Sequence, residues 1–200
     1  LLHDATRPPG APQPLPVALS CAPLPGEQRA MVVTVLDMSV VRSLHQQLEH
    51  QAVTDPLTGL LNRRGFYQAA ESALVRSEHS EKHHALMFLD LDGFKRINDS
   101  LGHETGDLIL NWVAEQLKDC LGGHGILARM GGDEFTALLD DLDYPEQAAR
   151  FAEKCIERMS VRQRIDGLDV TLGVSIGIAV YPDCGANLEG LLRAADTAMY

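Results

Sequence analysis

Ile126-Leu127-Ala128-Arg129-Met130-Gly131-Gly132-Asp133-Glu134-Phe135-Thr136-Ala137-Leu138-Leu139 reads as two strands joined by a glycine turn. Apolar residues dominate Ile126–Met130 and Glu134–Leu139, and Gly131-Gly132-Asp133 between them has the composition of a hairpin loop. Upstream, Ala85-Leu86-Met87-Phe88-Leu89 is a continuous apolar run, as expected of a central strand, and a strand is predicted over His83–Leu89. From there the predicted order is β-α-β-β-α-β-α. A helix over Glu104–Leu121 precedes the hairpin, and one led by Pro145 and reaching Met159 follows it. A strand over Val170–Tyr181 and a helix over Leu188–Tyr200 complete the series. This is the split β-α-β pattern of ferredoxin-like and palm-type domains, an α+β fold with a central, mostly antiparallel sheet flanked by helices. In that topology the end of the first strand lies beside the hairpin turn, so Asp90 is expected to face Asp133 across two strands.

The chain has 200 residues, 45% of them hydrophobic, enough for one full domain and a fragment of another. Its 17 Lys and Arg against 28 Asp and Glu give a formal net charge of −11. That balance speaks against general binding to nucleic acid or anionic membrane. Cys21, Cys120, Cys155 and Cys184 are scattered without a CxxC pair, which suits a reducing cytoplasm better than a disulfide framework or zinc site. No apolar run nears the ~20 residues of a membrane span. The chain is therefore read as cytoplasmic, with both ends cut from a longer protein; a membrane anchor would belong to the missing N-terminal regions.

Prolines crowd the first residues, at Pro8, Pro9, Pro12, Pro14 and Pro16. Val17–Cys21 and Met31–Leu36 read as strands around a turn at Gly26-Glu27-Gln28, and Asp37 resembles a helix N-cap. Val41, Leu44, Leu48 and Ala52 recur at helical spacing, so Val40–Ala52 is predicted as an amphipathic connecting helix. It either pairs with a copy of itself or lies on its own domain. Thr54–Leu60 is a loop, and Asn62 is expected to cap a helix over Arg63–Glu78.

The chemistry-bearing residues gather at the strand ends. Asp90, Asp133 and Glu134 form a carboxylate cluster suited to Mg²⁺, which takes hard oxygen ligands and keeps waters and substrate phosphates in its shell. The Leu91 carbonyl completes that set. Gly93 allows close backbone approach, its N–H and that of Phe94 can meet phosphate oxygens, and Lys95 adds a point charge. Asn98 offers a donor and an acceptor. Asp107 offers an acceptor pair that matches guanine and mismatches adenine. The bland alternative for Asn98, Asp99 and Asp107 is helix capping in the loop and first turn before the long helix. His79, His83 and His84 read as a solvated, charged loop, since their spacing fits no common metal pattern.

Taken together, Asp90-Leu91-Asp92-Gly93-Phe94-Lys95-Arg96-Ile97-Asn98-Asp99, Gly102-His103, Gly106-Asp107 and Gly131-Gly132-Asp133-Glu134-Phe135 resemble the GGDEF family of diguanylate cyclases. Thr54-Asp55-Pro56-Leu57-Thr58-Gly59-Leu60-Leu61-Asn62-Arg63-Arg64 resembles the family's opening motif, and Ser175-Ile176-Gly177 and Asp196–Tyr200 its late strand and last helix. The resemblance covers residues 53–200 and implies a palm or nucleotidyl-cyclase-like fold. It implies a nucleotidyltransferase that converts two GTP into cyclic di-GMP and two pyrophosphates across a homodimer, with no nucleic-acid partner. It further implies Mg²⁺, with Mn²⁺ able to replace it, held by Asp90, Leu91, Asp133 and Glu134. Asp133, Glu134 and Lys95 would carry the chemistry, with Asp133 activating the attacking hydroxyl. Asn98, Asp107, His103, Gly93, Phe94, Gly131 and Gly132 would contact substrate. The family's Arg-x-x-Asp product-inhibition site is replaced by Gly122 and Gly125, so no feedback is expected there. The family's phosphate-binding Lys and Arg beyond the tyrosine lie past Tyr200. More faintly, residues 1–37 resemble the end of a PAS sensor domain, leaving 38–52 as the signalling helix. The competing reading is a GGDEF module that binds GTP and regulates without catalysis. A relative making mixed guanine–adenine dinucleotides is disfavoured by Asp107.

Overall fold

The computed structural model describes residues 17–23, 31–41, 52–77, 82–165 and 167–199. The chain divides into two units, Leu1–His50 and Gln51–Tyr200. In the first, β1 (Val17–Pro23) pairs antiparallel with β2 (Met31–Asp37), Leu19 opposite Val35. Both predicted strands are present and run slightly longer than expected. The Ser39 N–H donates to Asp37 Oδ1 at 2.8 Å, an N-cap ahead of helical residues 39–41. Ala52 and Val53 are also helical; the rest of the predicted connecting helix lies outside the described residues.

The second unit is built on β3 (His83–Asp92), the middle of a four-stranded antiparallel sheet. Its neighbours are β5 (Glu134–Leu142) and β8 (Gly173–Tyr181), and β4 (Ile126–Gly131) flanks β5. Side chains alternate across a strand, and β3 is apolar at every central position because both faces are covered. Ala85, Met87, Leu89 and Leu91 pack with α3 (His103–Leu121) and α4 (Glu146–Ser160). Leu86 and Phe88 pack with α1 (Arg63–Ser77) and α5 (Leu188–Met199). Gly177 lets α5 lie close to β8, since a Cβ there would meet the Ala195 carbonyl oxygen at 1.9 Å. Asn62 caps α1 as expected, its Oδ1 accepting the Gly65 N–H at 2.9 Å.

Three expectations need correction. Between β3 and α3 lies an extra helix, α2 (Phe94–Leu101), so Asn98 and Asp99 are helical rather than loop residues. The long final strand is broken: among the described residues β7 (Leu168–Val170) pairs only with β6 (Gln163–Ile165), and β8 starts at Gly173. Thr171 and Leu172 leave the ladder, and Leu172 is buried in the core. His83 and His84 belong to β3, as the strand predicted from His83 has them and against their reading as a solvated loop; His84 is 2% exposed, with its Nδ1 3.4 Å from Asp140 Oδ1. His79 lies outside the described residues. No helix among the described residues is long and apolar enough to cross a membrane.

Candidate active site

Register places the carboxylates. Asp90 pairs directly with Glu134 across β3 and β5, while Asp133 sits in the adjoining turn. The expected Asp90–Asp133 facing pair is therefore an Asp90–Glu134 pair, one residue along, with Asp133 beside it. Asp90 shares a sheet face with Leu86 and Phe88. Partial burial pushes the Asp90 carboxyl above the ordinary carboxylate range, and the charges of Asp133, Glu134 and Asp92 push it further. Like charges directly opposite one another destabilise a sheet, so this edge of the domain calls for a cation. Asp92 is committed elsewhere: Ser175 Oγ donates to its Oδ1 at 2.7 Å, and the carboxylate fills the space above Gly173. Among the described residues no three His, Cys, Asp or Glu side chains stand close enough to hold an ion unaided. The site thus offers a facing pair whose remaining ligands would come from backbone, water or substrate.

The turn itself is the two-residue loop Gly132-Asp133 between Gly131, the end of β4, and Glu134; Gly131 and Gly132 have φ of 142° and 54°. Positive φ at such loop positions selects glycine. Arg129, which the sequence did not mark, secures it. Its Nε and Nη2 donate to the Gly132 carbonyl at 2.9 and 2.8 Å, and Nη1 donates to both Asp55 carboxylate oxygens at 3.2 Å.

Gly93, at φ 73°, turns the chain from β3 into α2. No side chain caps α2, and Phe94, 4% exposed, anchors its first turn in the core. Lys95 is exposed next to it. Gly102 occupies the N-cap of α3, again without a side-chain cap, so Asn98, Asp99 and Asp107 do not serve as the caps. Asn98 lies over Gly106, where a Cβ would come 1.7 Å from its Oδ1. That Oδ1 is buried with no hydrogen-bond partner among the described residues. His103 and Asp107 are exposed on the first turns of α3. On the α1–α5 face, a hollow of about 360 Å³ is lined by Glu134 together with Arg63, Tyr67, Phe88 and Arg193. These arginines also escaped the sequence reading, because α1 and α5 are distant in the chain.

Gly122 takes the left-handed conformation at the C-cap of α3, φ 58°. Gly125 has φ 130°, and a Cβ there would lie 2.2 Å from the Leu138 carbonyl oxygen. The backbone at 125 excludes a side chain.

Residues 52–200 match the family model described as diguanylate cyclase, GGDEF domain. The chain is 39% identical over 167 residues to the bifunctional diguanylate cyclase/cyclic di-GMP phosphodiesterase MucR of Pseudomonas aeruginosa, covering 84% of this chain and 24% of MucR. It is 42% identical over 156 residues to the diguanylate cyclase TpbB of the same species, covering 76% of this chain and 35% of TpbB. The chain thus spans well under half the length of these relatives. A solved GGDEF domain of TpbB from Pseudomonas aeruginosa superposes with a TM-score of 0.71 at 39% identity, covering 74% of this chain and 86% of that one. The order of strands, the acidic turn and these matches lead to one family, and the chain belongs to the GGDEF domain family of diguanylate cyclases.

Proposed function

We propose that this chain condenses two GTP into cyclic di-GMP and two pyrophosphates in second-messenger signalling, using two copies that each hold one GTP. The observation that carries this is the Asp90–Glu134 pair beside Asp133, next to the uncapped start of α2. Asp90, Asp133, Glu134 and the Leu91 carbonyl would hold Mg²⁺ ions, or Mn²⁺ in their place, each ion taking one or two of the carboxylates. The donor set fits, because Mg²⁺ binds through one or two carboxylates and keeps water and phosphate in its remaining positions. When bound, the metal offsets the charge of the triphosphate.

The Gly93 and Phe94 amides and Lys95 hold the phosphate tail, and Gly131 and Gly132 let the turn approach it. Asn98 and Asp107 read guanine: the buried Asn98 Oδ1 lacks a donor among the described residues, and the Asp107 carboxylate accepts from the base N1–H and N2–H₂. His103 lines the same pocket. In each half-reaction the 3′-oxygen of one GTP bonds to the α-phosphorus of the other. The bond from that phosphorus to pyrophosphate breaks, and the hydroxyl proton passes to Asp133. Two such steps close the ring.

Feedback through an Arg-x-x-Asp site is absent, because Gly125 has no room for a side chain. Within this proposal residues 1–37 end a PAS-like sensor domain, 38–52 connect, and 53–200 are the cyclase. Incubation with Mg²⁺ and GTP, ATP or both, with products read by mass, tests the activity. Cyclic di-GMP from GTP alone is expected. GTP binding without any product, even after forced dimerisation, would replace the enzyme with a binding module.

A further inference from the structure

Arg129 spends its guanidinium on two partners 74 residues apart in one case and three in the other. One partner is the carboxylate of Asp55; the second is the carbonyl of Gly132. Arg129 and Asp55 side chains are 13% and 17% exposed, so solvent and salt screen the pair less than a surface pair. Burial alone would raise the Asp55 carboxyl. The Thr58 hydroxyl and amide, then Arg129, outweigh it and hold the group below its ordinary value. The Gly132 carbonyl belongs to the planar peptide that carries the Asp133 N–H. Fixing that oxygen therefore fixes one side of Asp133.

Asp55 is itself tightly placed. Its N–H donates to the Leu60 carbonyl at 2.8 Å, and its Oδ1 accepts from Thr58 N and Oγ1 at 2.9 and 2.7 Å. Asn62 Nδ2 bridges the carbonyls of Ala52 and Thr54, and the Leu61 carbonyl accepts the Arg129 N–H. The loop at 52–62 and the acidic turn are thus bonded to the same arginine by backbone and side chain.

We propose that Arg129 and Asp55 are positioning residues: they clamp the Gly132–Asp133 peptide in its working orientation, so that the position of the 52–62 loop sets turnover rather than nucleotide affinity. The clamp acts on the site assigned above and rests on that assignment for its kinetic consequence. Lysine cannot replace the arginine, since a point charge lacks the fork that spans both partners. Neither residue touches the nucleotide in this scheme.

The test compares Arg129→Lys and Asp55→Asn with the unaltered full chain; Asp55→Asn keeps an acceptor for Thr58 and removes the charge. Amide hydrogen exchange is read at Gly132–Glu134 and, as an internal reference, in α3. Exchange in the turn should rise about tenfold with α3 unchanged. GTP affinity should hold within about twofold while turnover at saturating GTP falls about tenfold or more, since small misplacements near the reacting atoms are costly. Unchanged exchange in the turn, an equal rise in α3, or a loss of affinity with turnover intact would overturn the clamp. Should the unaltered chain make no product even after forced dimerisation, the cyclase assignment fails, and the exchange result still decides whether the clamp exists.

Discussion

Asp90→Asn should make the protein more stable while abolishing its turnover. Asp90 stands directly opposite Glu134 in the β3–β5 register, with Asp133 in the next position. Opposed residues have Cβ atoms about 5 Å apart, and opposed like charges cost roughly 0.2–1 kcal/mol. Because Glu134 is exposed, solvent screening keeps the whole effect near about 1 kcal/mol rather than the several expected in a drier site. For a unit of this size that is a rise in Tm of about 2–4 °C. The sign follows from linkage. The Asp90 carboxyl is raised in the folded state above its unfolded value of 3.8, so the charged form opposes folding at neutral pH. The penalty vanishes as pH falls through the raised value, and the advantage of Asn should shrink with it. Differential scanning fluorimetry across pH, with and without Mg²⁺, makes the measurement. Mg²⁺ should stabilise the unaltered chain by binding the folded state and should do little for the variant. A lower Tm for Asp90→Asn at neutral pH, or an undiminished Mg²⁺ shift, would refute the reasoning.

Gly106→Ala gains helix propensity of about 1 kcal/mol but places a Cβ 1.7 Å from Asn98 Oδ1. Calorimetric titration should show GTP affinity down about tenfold, a loss of ~1.4 kcal/mol, in a protein that still melts cooperatively. Asp107→Ser removes the acceptor pair for guanine, and the GTP-over-ATP preference should fall about tenfold or more in competition assays. Asp133→Ala should leave no measurable cyclic di-GMP in a product assay by mass; retained turnover would reject its role. Gly125→Ala meets both a φ of 130° and the Leu138 carbonyl at 2.2 Å. Urea denaturation should report a loss of at least about 1–3 kcal/mol.

The central strand and the hairpin were legible because their patterns are local: an unbroken apolar run between two covered faces, and paired glycines between two apolar runs. α2 was not, since it starts at a left-handed Gly93 and lacks the Ser, Thr, Asp or Asn that announces a helix. The β6–β7 hairpin has three-residue strands, too short for any alternation to register. His84 looked solvated beside charged neighbours, yet its strand position turns it between Asp140 and the ring of Tyr181.

The site divides the same way. Residue chemistry and the predicted topology proposed Asp90, Asp133 and Glu134 as one cluster, while Asp107 stayed open between base reading and helix capping until the family resemblance favoured the first. Which carboxylate faces Asp90 was a matter of register, where one residue of slip exchanges partners, and the ladder chose Glu134. The fork of Arg129 between Asp55 and Gly132, the seat of Asn98 over Gly106, and the closed backbone at Gly125 were decided only by tertiary structure. Each depends on atoms far apart in the chain meeting at hydrogen-bond or van der Waals distance. A linear pattern holds no record of such distances.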